Sequence, residues 1–399
     1  MRRYESYKDS GVEWLGEVPS HWELGRISTY FTERRTKVSD KDYPALSVTK
    51  LGVFPQWENV AKTNDGDNRK LAKKGDFVIN SRSDRKGSSG IAKQDGSVSL
   101  INIVLQPKKI NSVYSEYLFK SYSFIEEFYR VGHGIVADLW TTRFEDIKNS
   151  LIIFPPLSEQ QKIAQFLDEK TAKIDQAVDL AEKQMALLKE HKQILIQNAV
   201  TRGLNPDVLL KDSGVEWIGQ VPEHWEVKKI KAFAKINNGL DYKAVIAEEG
   251  YPVYGSGGQF AYANTYLYDG EAVLLGRKGT IDKPLYINDK FWTVDTMFYS
   301  VCNNKVSTKF FYYCCCSIIP FQYYSTSTAL PSMTQSDILN HKVTFPSLEE
   351  QYQIAGYLDK QTAKIDQAIA LKTAHIEKLK EYKSVLINDV VTGKVRVSV

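Results

Sequence analysis

Cysteine is scarce, with four in 399 residues, three of them adjacent (Cys314, Cys315, Cys316) and the fourth at Cys302. That count excludes a disulfide framework, and no CxxC or Cys/His spacing for zinc is present. The triplet lies in FFYYCCCSIIPF and reads as small apolar residues buried in a strand or helix. Thiols without a framework fit a reducing cytoplasm. The amino-terminal MRRYESYKDSG lacks an apolar signal core, so secretion is not expected. Long apolar runs are missing too. The stretch from Phe310 to Tyr324 is short and interrupted by Pro320, which argues against a membrane span. Charge of one sign is also lacking. Lysine and arginine total 52 against 48 acids, a net charge of +4, which excludes a histone-like polycation and leaves nucleic-acid binding to local patches. Nor is there an NPPF/Y methyltransferase motif, a GxxxxGK[ST] phosphate loop or a credible nuclease triad. Apolar residues at 43% and charged residues at 25% exclude wholesale disorder. The length suggests two or three domains.

What the chain does have is a long-period repeat. KDSGVEWLGEVPSHWELGRI (Lys8 to Ile27) returns as KDSGVEWIGQVPEHWEVKKI (Lys211 to Ile230), with 14 of 20 positions identical at an offset of 203. FPPLSEQQKIAQFLDEKTAKIDQAVDLAEKQMALLKEHK (Phe154 to Lys192) returns as FPSLEEQYQIAGYLDKQTAKIDQAIALKTAHIEKLKEYK (Phe345 to Lys383), with 21 of 39 identical at an offset of 191. The segments between, 28–153 and 231–344, show little similarity. The chain therefore reads A–X–B–A–Y–B, with duplicated flanks around diverged inserts. A solenoid would repeat every 20–50 residues, so this is a different design. Unlike inserts in one duplicated frame suggest a scaffold presenting two specificities.

The B blocks predict long helices. Ser158 with Gln161, and Ser347 with Glu350, have the spacing of capping boxes. Beyond them apolar residues recur every three or four positions, which predicts a seam of Leu167, Ile174, Val178, Met185, Leu188 and Leu195 in the first copy. In the second copy the seam is Leu358, Ile365, Ile369, Ile376, Leu379 and Leu386. Gly203 and Gly393 are placed as carboxy-terminal stops. Two separate amphipathic helices on different domains fit the same rows. Matching stripes of equal length favour pairing with each other. About 40 residues span roughly 60 Å at 1.5 Å each. Antiparallel pairing would relate the two A–X–B units by a pseudo-two-fold axis and put X and Y at opposite ends of a ruler, on the scale of the 34–36 Å that separates successive major grooves on one face of DNA.

In insert X, Phe77, Val78 and Ile79 look like a strand running into a basic, Gly/Ser-rich loop containing Asn80, Ser81, Arg82, Ser83, Arg85, Lys86 and Ser88. Backbone amides and short hydroxyls suit phosphate oxygens, and arginine suits the O6/N7 edge of guanine. A second cluster, Thr141, Thr142 and Arg143, follows Trp140. Residues 28–153 carry 20 basic and 15 acidic side chains, so most of the positive excess lies there. Insert Y offers Tyr254, Ser256, Gly257 and Gly258, then Arg277, Lys278 and Thr280 after an apolar strand, placed like Arg82 and Arg85 in X. Its GSGG does not fit a nucleotide-binding fingerprint, but it permits close backbone approach to a ligand. The loop of X also fits ordinary solvated surface. Most of the aromatics of Y, including Tyr251, Tyr262, Trp292 and Tyr299, are expected in the core. In the A blocks Trp14, Trp22, His21, Trp217, Trp225 and His224 lack ligand spacing and read as an aromatic staple docking each segment on the scaffold.

The A–X–B–A–Y–B layout, the WxGxVPxHWE blocks, the PPLSEQQ-type helix starts, GDFVINSRSDRKGSSG and GSGGxxxYA…GRKGT together resemble the specificity subunit of type I restriction-modification systems, over essentially the whole chain. The resemblance implies a mixed α/β (α+β) fold. Two target-recognition domains (1–153 and 204–344) would be joined by long helices (154–203 and 345–393) forming an antiparallel coiled coil. Each domain would read one half of a bipartite, asymmetric site on double-stranded DNA in the major groove, and the helices would fix the gap. Two modification subunits would carry S-adenosylmethionine and methylate adenine N6. Two restriction subunits would use ATP and magnesium to translocate and cleave DNA. The chain itself would be non-catalytic, hold no metal or cofactor, and work in a bacterial or archaeal cytoplasm. Two other readings remain at this stage: a coiled-coil interaction scaffold without DNA specificity, and a self-contained methyltransferase or nuclease with diverged motifs.

Overall fold

The structure is a computed structural model and describes residues 2–56, 66–134, 140–319, 321 and 331–397. The break expected at Pro320 and the end of the apolar stretch at 322–324 lie outside these residues. Both B blocks fold into single helices, Leu157–Arg202 and Leu348–Val391. Neither run contains a proline that would break the hydrogen-bond ladder. Each helix ends on a glycine at φ +78°, Gly203 and Gly393, a left-handed stop that costs glycine nothing. The starts differ from expectation in one copy. Ser347 and Glu350 form the reciprocal box, with Ser347 Oγ and N both within bonding distance of Glu350 Oε2 at 2.8 and 3.2 Å. Ser158, however, lies inside the first helix, and the cap is Pro156, whose carbonyl accepts from the amides of Glu159 and Gln160. Proline here has no side-chain acceptor, so the first helix starts without the box.

The chain divides into two compact units, one of residues 1–181 and 374–399, the other of residues 182–373. Each long helix is thus shared between the units instead of forming a segment of its own. In the first unit Lys383 Nζ meets Asp175 at 2.6 and 2.7 Å, and in the second Lys192 Nζ meets Asp366 at 2.6 and 2.7 Å. Asp175 and Asp366 are repeat equivalents, as are Lys192 and Lys383 (366 − 175 = 383 − 192 = 191). The same pair is therefore made twice with the roles exchanged, the mark of a self-complementary contact. Within the second unit Gln184 meets Lys372 and Lys192 meets Asp366, so rising numbers on one helix meet falling numbers on the other and the segments pair antiparallel. Exposed pairs of this kind add little energy and mainly fix register.

Each unit's core is completed by the far end of the other copy's helix. In the first, Trp22, Phe31, Phe77, Tyr114 and Phe119 pack with Ile163 and Leu167 of the first helix and with Leu386, Val390 and Val391 of the second. In the second, Trp225, Phe298, Phe310 and Phe311 pack with Ile354 and Leu358 of the second helix and with Ile196, Ala199 and Val200 of the first. Buried hydrogen bonds follow the same crossing. Tyr114 Oη donates to the Val391 carbonyl at 3.3 Å, and Thr344 Oγ1 donates to that of Val200 at 2.5 Å.

The A blocks act as the expected staple, with a partner the local spacing did not show. Trp22 Nε1 and His21 Nε2 converge on Glu159 at 3.1 and 2.9 Å, and Trp225 and His224 converge on Glu350 at the same distances. Burial tends to raise the Glu350 carboxyl, but donors from His224, Trp225 and Ser347 outweigh it and hold it below its ordinary value. Each tryptophan also faces the glycine stop of the other copy's helix: a Cβ on Gly393 would lie 2.9 Å from Trp22, and one on Gly203 would lie 3.1 Å from Trp225.

The sheets carry the inserts. In the first unit a four-stranded antiparallel sheet consists of β1 (Phe31–Glu33), β2 (Phe77–Asn80), β3 (Ser89–Ile91) and β4 (Asn102–Pro107), in the order β3-β2-β4-β1. In the second a seven-stranded sheet consists of β5 (Ala234–Asn238), β6 (Ile246–Ala247), β7 (Tyr251–Gly255), β8 (Gly258–Ala263), β9 (Tyr268–Gly276), β10 (Leu285–Thr293) and β11 (Met297–Cys302), in the order β5-β11-β9-β10-β7-β8-β6. Within this sheet β7 and β10 pair in parallel, and the other described neighbours pair antiparallel. The cysteine triplet lies on the helix Thr308–Ser317, where burial pushes the Cys314 and Cys315 thiols well up. Among the described residues no helix is long and apolar enough to cross a membrane.

Candidate nucleic-acid interface

The two diverged inserts build the same local structure where the candidate loops lie. In the first unit β2 pairs with β4 so that Asn80 faces Asn102. Beyond β2 the Ser81 amide donates to the Ile101 carbonyl at 3.3 Å, and the Ser81 carbonyl accepts from the Thr142 amide at 2.9 Å, beside a bridge between Arg82 and Thr141. The turn Ser99–Asn102 is closed by the Asn102 amide and Nδ2, both donating to the Ser99 carbonyl. In the second unit Gly276 of β9 faces Met297 of β11. The Arg277 amide donates to Thr296 O at 2.8 Å, its carbonyl accepts from the Met333 amide at 2.9 Å, and Lys278 bridges Ser332. The turn Val294–Met297 closes through Met297 N to Val294 O at 2.9 Å. Each third segment then enters a short helix, Phe144–Ile147 or Gln335–Asn340, whose first turn is capped by Asp146 on Arg143 N or by Asp337 on Thr334 N.

Three segments that are distant in sequence are thus tied together in one pattern, twice. By backbone position Ser81 corresponds to Arg277, Arg82 to Lys278, Leu100 to Asp295, Ile101 to Thr296, Thr141 to Ser332 and Thr142 to Met333. The first helix after the turn strand, Ser112–Phe119 in one unit and Thr308–Ser317 in the other, docks equivalently as well. Tyr117 Oη donates to Asp168 at 2.7 Å with Thr171 at 3.1 Å, and Tyr313 Oη donates to Asp359 at 2.6 Å with Thr362 at 3.3 Å. The offset between equivalents is 203 in the A blocks, 196 at the strand end (276 − 80), 195 at the turn (297 − 102) and 191 from the third segment onward (332 − 141). Small insertions between these points hide the relationship from a direct comparison of the inserts.

The structure revises one equivalence. Arg277, expected to match Arg82, sits at the position of Ser81, and Lys278 takes that of Arg82. The half-exposed Arg277 guanidinium folds back on its own turn, with Nη1 3.3 Å from the Asp295 carbonyl and the group 5.8 Å from the Phe298 ring centre.

The other candidates separate into positioning groups and outward groups. Asn80, Ser81, Ser88 and Thr142 are buried. Asn80 Oδ1 accepts from the Arg82 amide at 3.1 Å, its carbonyl accepts from Tyr129 Oη at 2.7 Å, and Thr142 Oγ1 donates to Phe128 O at 3.0 Å. These groups set the loop's shape. Ser83 Oγ accepts from the Trp140 amide at 3.0 Å and ties the two basic segments together. Lys86 is paired with Glu126 at 2.6 Å. Arg82 and Arg85 flank Asp84 at 3.3 and 3.8 Å and stay solvent-facing, as does Arg143. In the second unit Ser256 N lies 3.4 Å from Thr296 Oγ1, which brings the Tyr254–Gly258 bend to the same turn as Arg277. Gly257, Lys278 and the edge of Thr280 face outward, Gly258 has φ +109°, and Tyr254 is half-buried. The loop after Gly276 folds back so closely that a Cβ there would meet Thr280 O at 2.1 Å. Asn80 bends the first loop with its side chain, and Gly276 bends the second by having none.

In the first unit the tied segments line an open cleft of about 740 Å³. Its walls carry Arg35, Lys37, Lys70, Arg82 and Arg143 against Glu33 and Glu145, five cations to two carboxylates. Arg35 and Lys70 are engaged by those carboxylates and Arg82 by Asp84, which leaves Lys37 and Arg143 as the cleft cations without an ion pair among the described residues. Sequence reasoning missed Arg35 and Lys37, and it missed both turns. The one local signal was an apolar pair, Leu100–Ile101, standing between Ser99 and Asn102 where a turn residue is expected. Along the seam Leu167, Ile174, Val178, Leu358, Ile365, Ile376 and Leu386 are buried, and Met185, Leu188, Leu195, Ile369 and Leu379 are half-buried. Among the described residues no cluster of three or more His, Cys, Asp or Glu side chains is arranged to hold a metal.

A duplicated frame, two long paired helices and two equivalent cationic loop clusters with different side chains define a two-module recognition protein. The chain belongs to the type I restriction modification DNA specificity domain family, whose model matches twice, over residues 20–183 and 222–381. Similar proteins include two from Methanocaldococcus jannaschii. One is the putative type I restriction enzyme MjaX specificity subunit, 23% identical with 96% of each chain covered. The other is the MjaVIII specificity subunit, 26% identical over 95% of this chain and 94% of that one. Among solved structures, a chain from work on assembly and conformational transition of the type I R-M system superposes with a TM-score of 0.73 at 14% identity, covering 95% of this chain and 99% of its own. The HsdS subunit from Thermoanaerobacter tengcongensis gives 0.54 at 15% identity, covering 95% and 98%. The fold is thus that of specificity subunits, and the function is DNA sequence recognition within a type I restriction-modification system. The comparisons support neither the scaffold nor the self-contained enzyme.

Proposed function

We propose that each unit reads one half of a bipartite, asymmetric site on double-stranded DNA, that the paired helices fix the gap, and that the chain performs no chemistry itself. Methylation of adenine N6 and ATP-dependent cleavage then belong to two modification and two restriction subunits, which bring S-adenosylmethionine, ATP and magnesium. The observation that supports this most is the repeated three-segment cluster. One backbone pattern holds two different sets of side chains, which is what reading two unlike half-sites with one scaffold needs. Outward Lys37, Arg82, Arg143 and Lys278 suit phosphates and guanine edges, while buried Ser81 and Thr142 hold them in place. On this reading the segments 1–153 and 204–344 are the recognition domains, and the work is done in a bacterial or archaeal cytoplasm.

The test is binding of the full chain to duplex DNA across a salt series. Phosphate contacts predict that log K falls linearly with log salt, steeply, and that a specific duplex competes better than a scrambled one. Affinity that is flat with salt would leave an adaptor. Methyl transfer by the chain alone would make it an enzyme.

A further inference from the structure

Of the three tied segments, the turn is where the two units differ most in chemistry. Its tip is Leu100–Ile101 in the first unit and Asp295–Thr296 in the second. Leu100 and Ile101 are 40% and 42% exposed, although the strands on either side of them are buried. They stand on the wall of the cationic cleft, next to Ser81 and Arg82. Their backbone is held from three sides: the Ser81 amide donates to Ile101 O, Asn102 closes the turn on Ser99, and Lys70 Nζ donates to Asn102 O at 2.6 Å. The hydrogen-bonded turn thus holds about two-fifths of each aliphatic side chain open to the cleft, apolar surface available to a ligand there.

A cleft whose free charges are cationic selects a polyanion, and the apolar feature DNA shows in its major groove is the C5-methyl group of thymine. We propose that the Leu100–Ile101 tip is a specificity-determining element that takes a thymine methyl group in the half-site read by the first unit. This rests on the DNA-reading function proposed above and goes beyond it by naming the element and the group recognised. Neighbouring cations position the backbone, and the tip supplies a contact that cytosine and uracil cannot return. The equivalent tip in the second unit, Asp295–Thr296, replaces two large aliphatic side chains with a carboxylate and a single threonine methyl. Asp295 is exposed, so on this proposal the two units discriminate by different chemistry at one backbone position.

The test uses the full chain and a randomised duplex pool to select its preferred site, followed by duplexes in which each thymine is replaced in turn by deoxyuridine, which lacks only the methyl. In one half-site, at least one replacement lowers affinity by about fourfold, the weight of one buried methyl group. Leu100→Ser/Ile101→Ser binds the thymine and uracil duplexes equally and keeps its preference in the other half-site. If the chain selects a site but every uracil duplex binds as well as its thymine parent, or if neither half-site contains a thymine, the proposal is overturned and the DNA-reading function stands. If the chain selects no site at all, the reading beneath it fails. The uracil series needs no protein variant, so a variant that does not fold leaves the test intact.

Discussion

Replacing Leu386 by alanine should destabilise a domain whose four-stranded sheet, β1 to β4, lies more than 250 residues earlier in the chain. Leu386 is 3% exposed and packs in the core that contains Trp22, Phe77 and Tyr114, with Val390 and Val391 beside it. Removing a buried leucine side chain costs about 2–5 kcal/mol when the cavity cannot collapse. Collapse is resisted here because Tyr114 Oη is bonded to Val391 O and the Ser123 amide to Asn388 Oδ1, so both walls are pinned. A domain of this size is stable by about 5–15 kcal/mol, so the loss is large but not fatal. Hydrogen exchange is the natural assay. The slowest amides of β2 and β4 should exchange faster by about 30-fold at the low end of that range, since 1.4 kcal/mol is a factor of about ten. Those of β9 and β11 should hold their rates. Ile196→Ala, in the first helix, should do the reverse, because Ile196 is 3% exposed in the core of the second unit. Loss of protection confined to residues 374–391, or Leu386→Ala loosening β9 and β11, would refute the crossed construction.

Other expectations follow from single sites. Burial lowers the His341 imidazole from 6.5 to about 4. The folded state therefore resists protonation where the unfolded chain accepts it, and the second unit should lose stability as pH falls from about 6.5 to 4, by about 3 kcal/mol in total. Denaturant midpoints should slope with pH in that window in the wild type, and the slope should flatten in His341→Gln. Gly393→Ala places a Cβ 2.3 Å from Pro19 Cδ at a backbone φ of +78°, so it should cost more than the roughly 1–2 kcal/mol of left-handed strain alone, measured by thermal unfolding. Arg82→Ala and Lys278→Ala should each weaken recognition of one half-site only, by about 1–3 kcal/mol where the side chain meets a base, measured with duplexes altered in one half at a time. A uniform loss across sequences with a shallower salt slope would reassign either residue to phosphate.

Much of this architecture is legible in the sequence, and the exceptions share a cause. The helices are readable because burial on a paired helix repeats every three or four residues, and Leu167, Ile174 and Val178 have no neighbours that blur the period. Gly203 and Gly393 are readable because a left-handed stop nearly demands glycine. The capping motif misled at Ser158 because the pattern S-x-x-Q says nothing of Pro156, which caps the helix two residues earlier. The carboxylates that fix His21 and His224 were invisible because Glu159 and Glu350 lie 138 and 126 residues away. The kinship of the inserts was hidden for a different reason. It is carried by main-chain bonds such as Thr142 N to Ser81 O and Met333 N to Arg277 O, which constrain register and leave side chains free to change. Of the candidate site, the basic loops were legible from composition, but the division of labour within them was not. Only the fold shows that Ser81 and Thr142 are buried supports and that Arg277 folds back on the Asp295 carbonyl.

The central claim is that two equivalent modules read two independent half-sites. Its most direct test is to replace residues 28–153 with the corresponding insert of a relative, express the hybrid with its methyltransferase partners, and map the methylated adenines genome-wide. One half of the bipartite motif should change to the relative's, with the other half and the gap retained. A motif changed in both halves, or in neither, would contradict the account.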